Sequence, residues 1–268
     1  MSADAPGAGA GRLDAGGLEA TGLGVRHGSR VALSGIDLRI VPGEVVAVAG
    51  PNGSGKTSLL RALAGLLPHE GHIARDPGLR VGYMPQDNAL RAALLVLEVV
   101  LLGRLGTLGL RVRAQDVDAA QRAMDELGIA GLAERRIDEL SGGQRQMAML
   151  AQVLASEPGI FLLDEPVSAL DPRHQLEVLG AVRRLTDARG LATVVVLHDL
   201  NAAARHCDRL VVLDGGRIAA AGPPGRVLQA SLLAEVFGIE AQLGTAADGR
   251  PFALPLRALS PDARPDRR

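Results

Sequence analysis

The stretch Gly50-Pro51-Asn52-Gly53-Ser54-Gly55-Lys56-Thr57 decides how this chain is read. It has the form G-x-x-x-x-G-K-[ST], a loop whose glycines let backbone N–H groups close on phosphate oxygens. Lys56 is the only lysine among 268 residues; every other basic residue is arginine. An ammonium is a compact point charge on a flexible stem, whereas guanidinium is a broad planar fork. A tight loop around phosphates favours the former. Upstream, Val45–Ala49 reads as a buried strand bounded by Pro42-Gly43 and Gly50. Downstream, Ser58–Leu67 reads as a helix. Strand, glycine loop and helix form the context that the motif requires. The implied ligand is a nucleoside triphosphate with a divalent metal.

Bulk composition narrows the alternatives. Hydrophobic residues make up 47%, enough for a sizeable core. The net charge is −1 and arginine is spread along the chain, so no basic footprint points to nucleic acid. Aromatic residues are only 1%, which removes most means of stacking single-stranded bases. A single cysteine, Cys207, excludes an intrachain disulfide and fits a reducing compartment. Residues 1–17 are rich in Ala and Gly, with no basic start and no apolar block, so they read as a disordered tail rather than a signal. The longest apolar stretch, Ala92 to Gly103, is interrupted by Glu98 and is too short to span a bilayer. A chain soluble on its own is expected, with any membrane role supplied by a partner.

Outward from the loop, two β-like runs between Leu18 and Ile40 are separated by His27-Gly28-Ser29-Arg30, a turn. Leu79–Met84 reads as a strand. The pattern is helical from about Asn88 to Ser156. Three short apolar strands follow, at Ile160–Leu163, Thr193–Leu197 and Leu210–Leu213, with helical stretches between them. That alternation predicts an α/β fold with a mostly parallel sheet. Asp214-Gly215-Gly216 predicts a hairpin turn, and Asp248-Gly249-Arg250-Pro251 a second one. The division expected is a tail to residue 17, a catalytic domain over 18–240 with a helical part at about 88–156, and a hairpin and tail over 241–268.

Four further segments carry candidate chemistry. Phe161-Leu162-Leu163-Asp164-Glu165-Pro166 ends an apolar strand in two carboxylates, at the sheet edge where ligands bind in open α/β folds. Asp164 suits a Mg²⁺ site beside the Thr57 hydroxyl, and Glu165 can polarise water as a general base. Read alone, the pair is equally a solvated strand end or a helix cap. Leu140-Ser141-Gly142-Gly143-Gln144 precedes a helix, expected to begin after the glycines. It is either a simple cap or a second anion-binding terminus. His198, at the end of Val194-Val195-Val196-Leu197, either donates to a γ-phosphate or is satisfied by a neighbouring carbonyl. Gln86, after Val81-Gly82-Tyr83-Met84-Pro85, can hydrogen-bond a metal or its water.

In this order, the segments resemble the ATP-binding subunit of an ABC transporter over roughly residues 18–240. Gly50–Thr57 is similar to Walker A, Phe161–Glu165 to Walker B, and Leu140–Gln144 matches the family signature LSGGQ letter for letter. Gln86 falls at the Q-loop, Ser168-Ala169-Leu170-Asp171 at the D-loop, and His198 at the switch histidine. The resemblance implies a P-loop NTPase (RecA-like) core, an antiparallel β subdomain and a helical signature subdomain. It implies ATP and Mg²⁺ as ligands. Gly50, Pro51, Asn52, Gly53, Ser54, Gly55, Lys56, Thr57 and Ser58 would cradle the phosphates, and Thr57, Gln86 and Asp164 would hold the metal. Lys56, Gln86, Glu165 and His198 would perform hydrolysis. It further implies a head-to-tail homodimer, in which Ser141, Gly142, Gly143, Gln144 and Asp171 of one chain complete the other's site.

Transmembrane permease subunits, and indirectly a substrate-binding protein, would be the remaining partners, on the cytoplasmic face of the membrane. Asn88–Leu110 is the candidate permease contact. Around Val96–Arg104, His174–Leu179 and Leu197–Arg205 the chain is similar to ATPases that import iron–siderophore complexes, haem or cobalamin. ATPases of other transporter classes, metal-ion importers and exporters among them, share the main motifs. Relatives outside transport carry coiled-coil insertions or tandem ATPase units, which this sequence lacks. It also departs from the family pattern. His27 stands where an adenine-stacking aromatic is expected, with Arg26 as a substitute candidate. Val167, Met147 and Gln152 replace the usual Thr, basic residue and Arg.

The lone lysine gives a chemical test. An amine-reactive ATP analogue should label Lys56, and excess ATP should protect it, as read by peptide mass mapping. Labelling at the Met1 amine alone, insensitive to ATP, would contradict the loop assignment.

Overall fold

We describe a computed structural model of the chain over residues 17–86, 94–105 and 112–260. The expected N-terminal tail, apart from residue 17, lies outside the described residues, as do residues 261–268 of the C-terminal tail. The chain opens with β1 (Leu18–His27) and β2 (Arg30–Ile40), an antiparallel pair. Then come β3 (Val45–Ala49), α1 (Lys56–Leu63), β4 (Glu70–Arg75) and β5 (Val81–Met84). Helices α2 (Val96–Leu102), α3 (Ala114–Glu126) and α4 (Gly142–Ala155) follow. After β6 (Ile160–Leu163) come α5 (Pro172–Arg189), β7 (Ala192–Val196), α6 (Leu200–His206), β8 (Arg209–Asp214) and β9 (Arg217–Gly222). The hairpin β10 (Ile239–Thr245) and β11 (Pro251–Ala258) comes last.

The central sheet has the order β5-β6-β7-β3-β8-β9, parallel except for β9. Its inner strands are buried on both faces: all five residues of β3, all four of β6 and all five of β7. This is why they read as unbroken apolar runs rather than as alternation. One face packs on α1 and on the sheet β2-β1-β4 through Val46, Val48, Leu59, Leu60, Ile160 and Val194. The other packs on α4, α5 and the helices around them through Ala47, Phe161, Leu163, Val178 and Val195. The expected α/β nucleotide-hydrolase fold, with an antiparallel sheet and a helical lobe, is the fold observed.

Local boundaries differ from the sequence reading for physical reasons. Helix α1 starts at Lys56, not Ser58, and ends at Leu63 rather than Leu67, because Gly65 turns into the left-handed region at φ 74°. Helix α4 starts at Gly142 itself, so the two glycines form its first turn instead of preceding it. Ser141 caps it: its hydroxyl accepts from Gln144 N at 3.3 Å, and Gln144 Oε1 accepts from Ser141 N at 3.2 Å. Strand β4 has no counterpart in the sequence reading. Of the apolar stretch expected to meet a permease, residues 94–105 are described. Val96, Val99 and Val100 are buried among the helices, while Leu95 and Leu105 are exposed. The rest of Asn88–Leu110 lies outside the described residues. Gly103 explains how tightly α2 ends against α4: a Cβ there would lie 1.8 Å from the Gln152 carbonyl oxygen.

Among the described residues, no helix is long and apolar enough to cross a membrane.

Candidate functional site

A cleft of about 790 Å³ opens at the carboxyl ends of β3 and β6. It is lined by the loop residues Asn52, Gly53, Gly55, Lys56, Thr57 and Ser58, and by His27, Arg30, Ala32, Gln86, Glu165 and His198.

Close approach of backbone explains the glycines. Gly50 has φ 148°, and a Cβ on it would lie 2.2 Å from Leu213 O. Gly55, at φ 104°, would place a Cβ 2.6 Å from Ala32 O. The loop is therefore pressed between β8 and β2 and leads into the start of α1, where the helix dipole is positive. Ser54 Oγ is buried there without a hydrogen-bond partner among the described residues. The glycine cradle itself, which a Cβ at Gly50 or Gly55 would fill, fits a site made for an oxyanion.

Lys56 is 6% exposed and its Nζ donates to Gly50 O at 2.9 Å and Pro51 O at 3.0 Å. Burial holds the ammonium below its ordinary pKa; Glu165 and Asp164 pull it back up. Thr57 Oγ1 donates to Asp164 Oδ1 at 3.3 Å, and the Tyr83 hydroxyl approaches Oδ2 at 3.5 Å. Burial raises the Asp164 carboxyl, opposed by the Thr57 bond and reinforced by Glu165. It also pushes the Tyr83 phenol up to about 12.

Glu165 is the focus of the other half of the cleft. His198 Nε2 lies 2.6 Å from its Oε1, and Gln86 Nε2 donates to its Oε2 at 2.9 Å. Three residues from three strand ends, β5, β6 and β7, therefore meet at one carboxylate. Glu165 has φ 52°, in the left-handed region that a non-glycine residue seldom occupies. Strain of that kind costs on the order of 1–3 kcal/mol and clusters at functional sites.

For a divalent cation, Thr57 and Asp164 offer one hydroxyl and one carboxylate side by side. These are hard oxygen donors that fit Mg²⁺, which keeps waters and takes phosphate oxygens for its remaining positions. Among the described residues no cluster of three or more His, Cys, Asp or Glu is arranged to hold a metal by itself.

His27 lines the cleft, with Nε2 3.0 Å from Ser58 Oγ. Arg26 does not; its guanidinium donates to Ser29 O at 3.3 Å. Arg30 does, which the sequence reading missed by treating it as a turn residue. The loop between β1 and β2 has only two residues, so Arg30 pairs directly across from His27. Its guanidinium sits over the phosphate loop, with Nη2 3.4 Å from where a Cβ on Gly53 would be. Ser141, Gly142, Gly143, Gln144 and Asp171 do not line the cleft of this chain. They form a separate constellation, with Asp171 capping α5 by accepting from His174 N at 3.0 Å.

A glycine loop between a strand and a helix, with carboxylates on a nearby strand end, defines a P-loop nucleotide hydrolase. The chain belongs to the ABC transporter family, whose sequence profile matches residues 33–168. Within it, the chain is an ATP-hydrolysing transporter subunit. Similar relatives include the hemin import ATP-binding protein HmuV of Pseudomonas fluorescens strain Pf-5, 46% identical over 241 residues, which are 83% of this chain and 93% of that one. The protein of the same name from Bradyrhizobium diazoefficiens is 41% identical over 272 residues, covering 92% and 98%. Among solved structures, one described as a metal-chelate type ABC transporter, inward-facing, superposes with a TM-score of 0.82 at 28% identity, covering 90% of this chain and 97% of that chain. A dimeric bacterial ABC transporter cassette superposes at 0.67 with 26% identity, covering 77% and 98%.

The raised Asp164 carboxyl has a measurable consequence. Because burial raises this carboxyl above its unfolded value, the stability it contributes is full below the unfolded pKa and is lost as pH rises through the folded one. Asp164→Asn should raise Tm by about 1–4 °C at pH 8, and the gain should shrink as the buffer is made more acidic. Thermal melts at a series of pH values check this; a lower Tm at pH 8 would contradict the burial assignment.

Proposed function

We propose that this chain powers import of haem, or of a closely similar iron chelate, as one of two identical ATPase subunits beneath a membrane permease. The observation that carries the catalytic part is the convergence of Gln86 and His198 on Glu165, next to the Thr57–Asp164 pair. The cargo rests on the relatives named as hemin import ATP-binding proteins, which this chain matches over nearly their whole length.

In this reading ATP lies along the cleft, with its phosphates in the loop Gly50–Ser58. Lys56 releases the carbonyls of Gly50 and Pro51 and turns to the terminal phosphates, an exchange of partners within reach of its flexible stem. Thr57, Asp164 and Gln86 would hold Mg²⁺, which would supply positive charge to the phosphates. Glu165 polarises the attacking water, and His198 holds the developing charge. His27 or Arg30 covers the base; imidazole offers a smaller face than a phenol ring, and guanidinium stacks well.

Two copies pack head to tail, so that Ser141–Gln144 and Asp171 of each reach the other's nucleotide. The Ser141 hydroxyl takes the Gln144 amide at the start of α4, which leaves those of Gly142 and Gly143 for an anion. A lone chain then owns only half of each site and turns over slowly. The permease would sit against the helical lobe near Leu95 and Leu105, at the cytoplasmic face of the membrane, and a binding protein would deliver cargo from the other side.

Lys56→Ala should abolish detectable ATP binding. Glu165→Gln should bind ATP, hydrolyse at least about a hundredfold more slowly, and accumulate as a dimer on size exclusion. For the cargo, the subunit assembled with its co-purified permease and binding protein in liposomes should hydrolyse ATP faster with haem than with cobalamin or a ferric siderophore. Equal rates with and without haem would overturn the cargo.

A further inference from the structure

At the start of α4, Ser141 and Gly142 are exposed, and a histidine from another element is seated against Gly143. Gly143 leaves a space that the His174 ring fills: a Cβ on Gly143 would lie 2.1 Å from His174 Cδ2 and 2.8 Å from its Nε2. On its other side, His174 Nδ1 is 2.7 Å from Asp171 Oδ2, while its backbone N–H donates to Asp171 Oδ1 at 3.0 Å. The same turn touches α4 a second time, because a Cβ on Gly142 would meet Leu170 Cδ2 at 3.5 Å. Gln175 Nε2 ties the turn down by donating to Leu170 O at 2.9 Å. The His174 side chain remains 31% exposed. One side of the ring thus covers Gly143 while its polar edge meets the Asp171 carboxylate.

We propose that His174 is a positioning residue that locks the Ser168–Asp171 turn to the phosphate-facing end of α4. The two pieces then meet the partner's nucleotide as one rigid body. Ser141 and Gly143 cannot shift relative to Asp171 without breaking a charge-assisted contact and opening the space over Gly143. This rests on the composite-site reading given above and adds to it the part that sets the register of the completing half.

ATP-driven dimerisation of the full chain tests it, in the Glu165→Gln background and followed by analytical ultracentrifugation. Adding His174→Ala should weaken dimerisation about tenfold or more, the scale of one lost charge-assisted hydrogen bond. Binding of a fluorescent ATP analogue to the monomer should stay within about twofold, because that cleft does not include His174. Two more variants separate the parts and stand in should the alanine variant misfold. His174→Asn keeps a donor to Asp171 and should dimerise within about threefold of the parent. His174→Phe keeps a ring over Gly143 but deletes the Asp171 link, and should lose dimerisation as the alanine variant does. Dimerisation by His174→Phe equal to the parent's would overturn the proposal, as would equal losses in monomer binding and dimerisation. A Glu165→Gln parent that stays monomeric with ATP would instead bring down the composite site itself.

Discussion

Everything at this site depends on keeping one ammonium inside a loop of backbone. Lys56 is almost completely buried, and two carbonyl oxygens, Gly50 O and Pro51 O, satisfy its Nζ. A buried cation without such partners would lose its proton or unfold the loop. The carbonyls can reach it only because the loop is folded tightly, and the loop can fold tightly only because Gly50 and Gly55 carry no Cβ. Leu213 O and Ala32 O, which bar those Cβ atoms, belong to β8 of the central sheet and β2 of the sheet packed on it. The phosphate cradle is thus set by the packing of the sheet, and the sheet is set by the burial of β3, β6 and β7 on both faces.

The same geometry holds the chemistry apart from stability. Asp164 is buried at a cost that its raised pKa records, and Glu165 sits in a strained backbone conformation. Neither is what a stability-driven sequence would choose. Both stand one residue apart at the end of β6, so the strand delivers one carboxylate to the hydroxyl of Thr57 and the next to Gln86 and His198. The left-handed turn at Glu165 re-aims the second carboxylate away from the first. Two adjacent acids thereby take two separate environments, the arrangement expected where one binds a cation and the other handles a proton.

The parts of this molecule that were legible in the sequence are those where a local pattern and a burial demand coincide. Val45–Ala49 and Ile160–Leu163 are apolar because both faces are covered, and their bounds agree with β3 and β6 residue for residue. The glycine loop was legible because backbone approach leaves no other residue possible at Gly50 and Gly55. Strand β4 was not, because Glu70–Arg75 lies at the edge of the small sheet with no fully buried residue, and its composition follows no period. Arg30 was missed because its place depends on register: a two-residue turn sets it beside His27, which no composition signal reports. His174 was invisible for a similar reason. Its partner is Gly143, thirty-one positions away, and only the packing of α5 beside α4 brings a ring over a glycine.

If each ATP site is shared between two chains, Lys56 comes from one and Ser141–Gly143 from the other. Mixing two inactive variants tests it directly: Lys56→Ala, which spoils the loop, and Ser141→Arg, which blocks the helix end. In a head-to-tail dimer of the two, one site is doubly damaged and the other carries both intact halves. ATPase activity, absent from either variant alone, should return on mixing. Mixtures as inactive as their components, with heterodimers demonstrated by differential tagging, would contradict it.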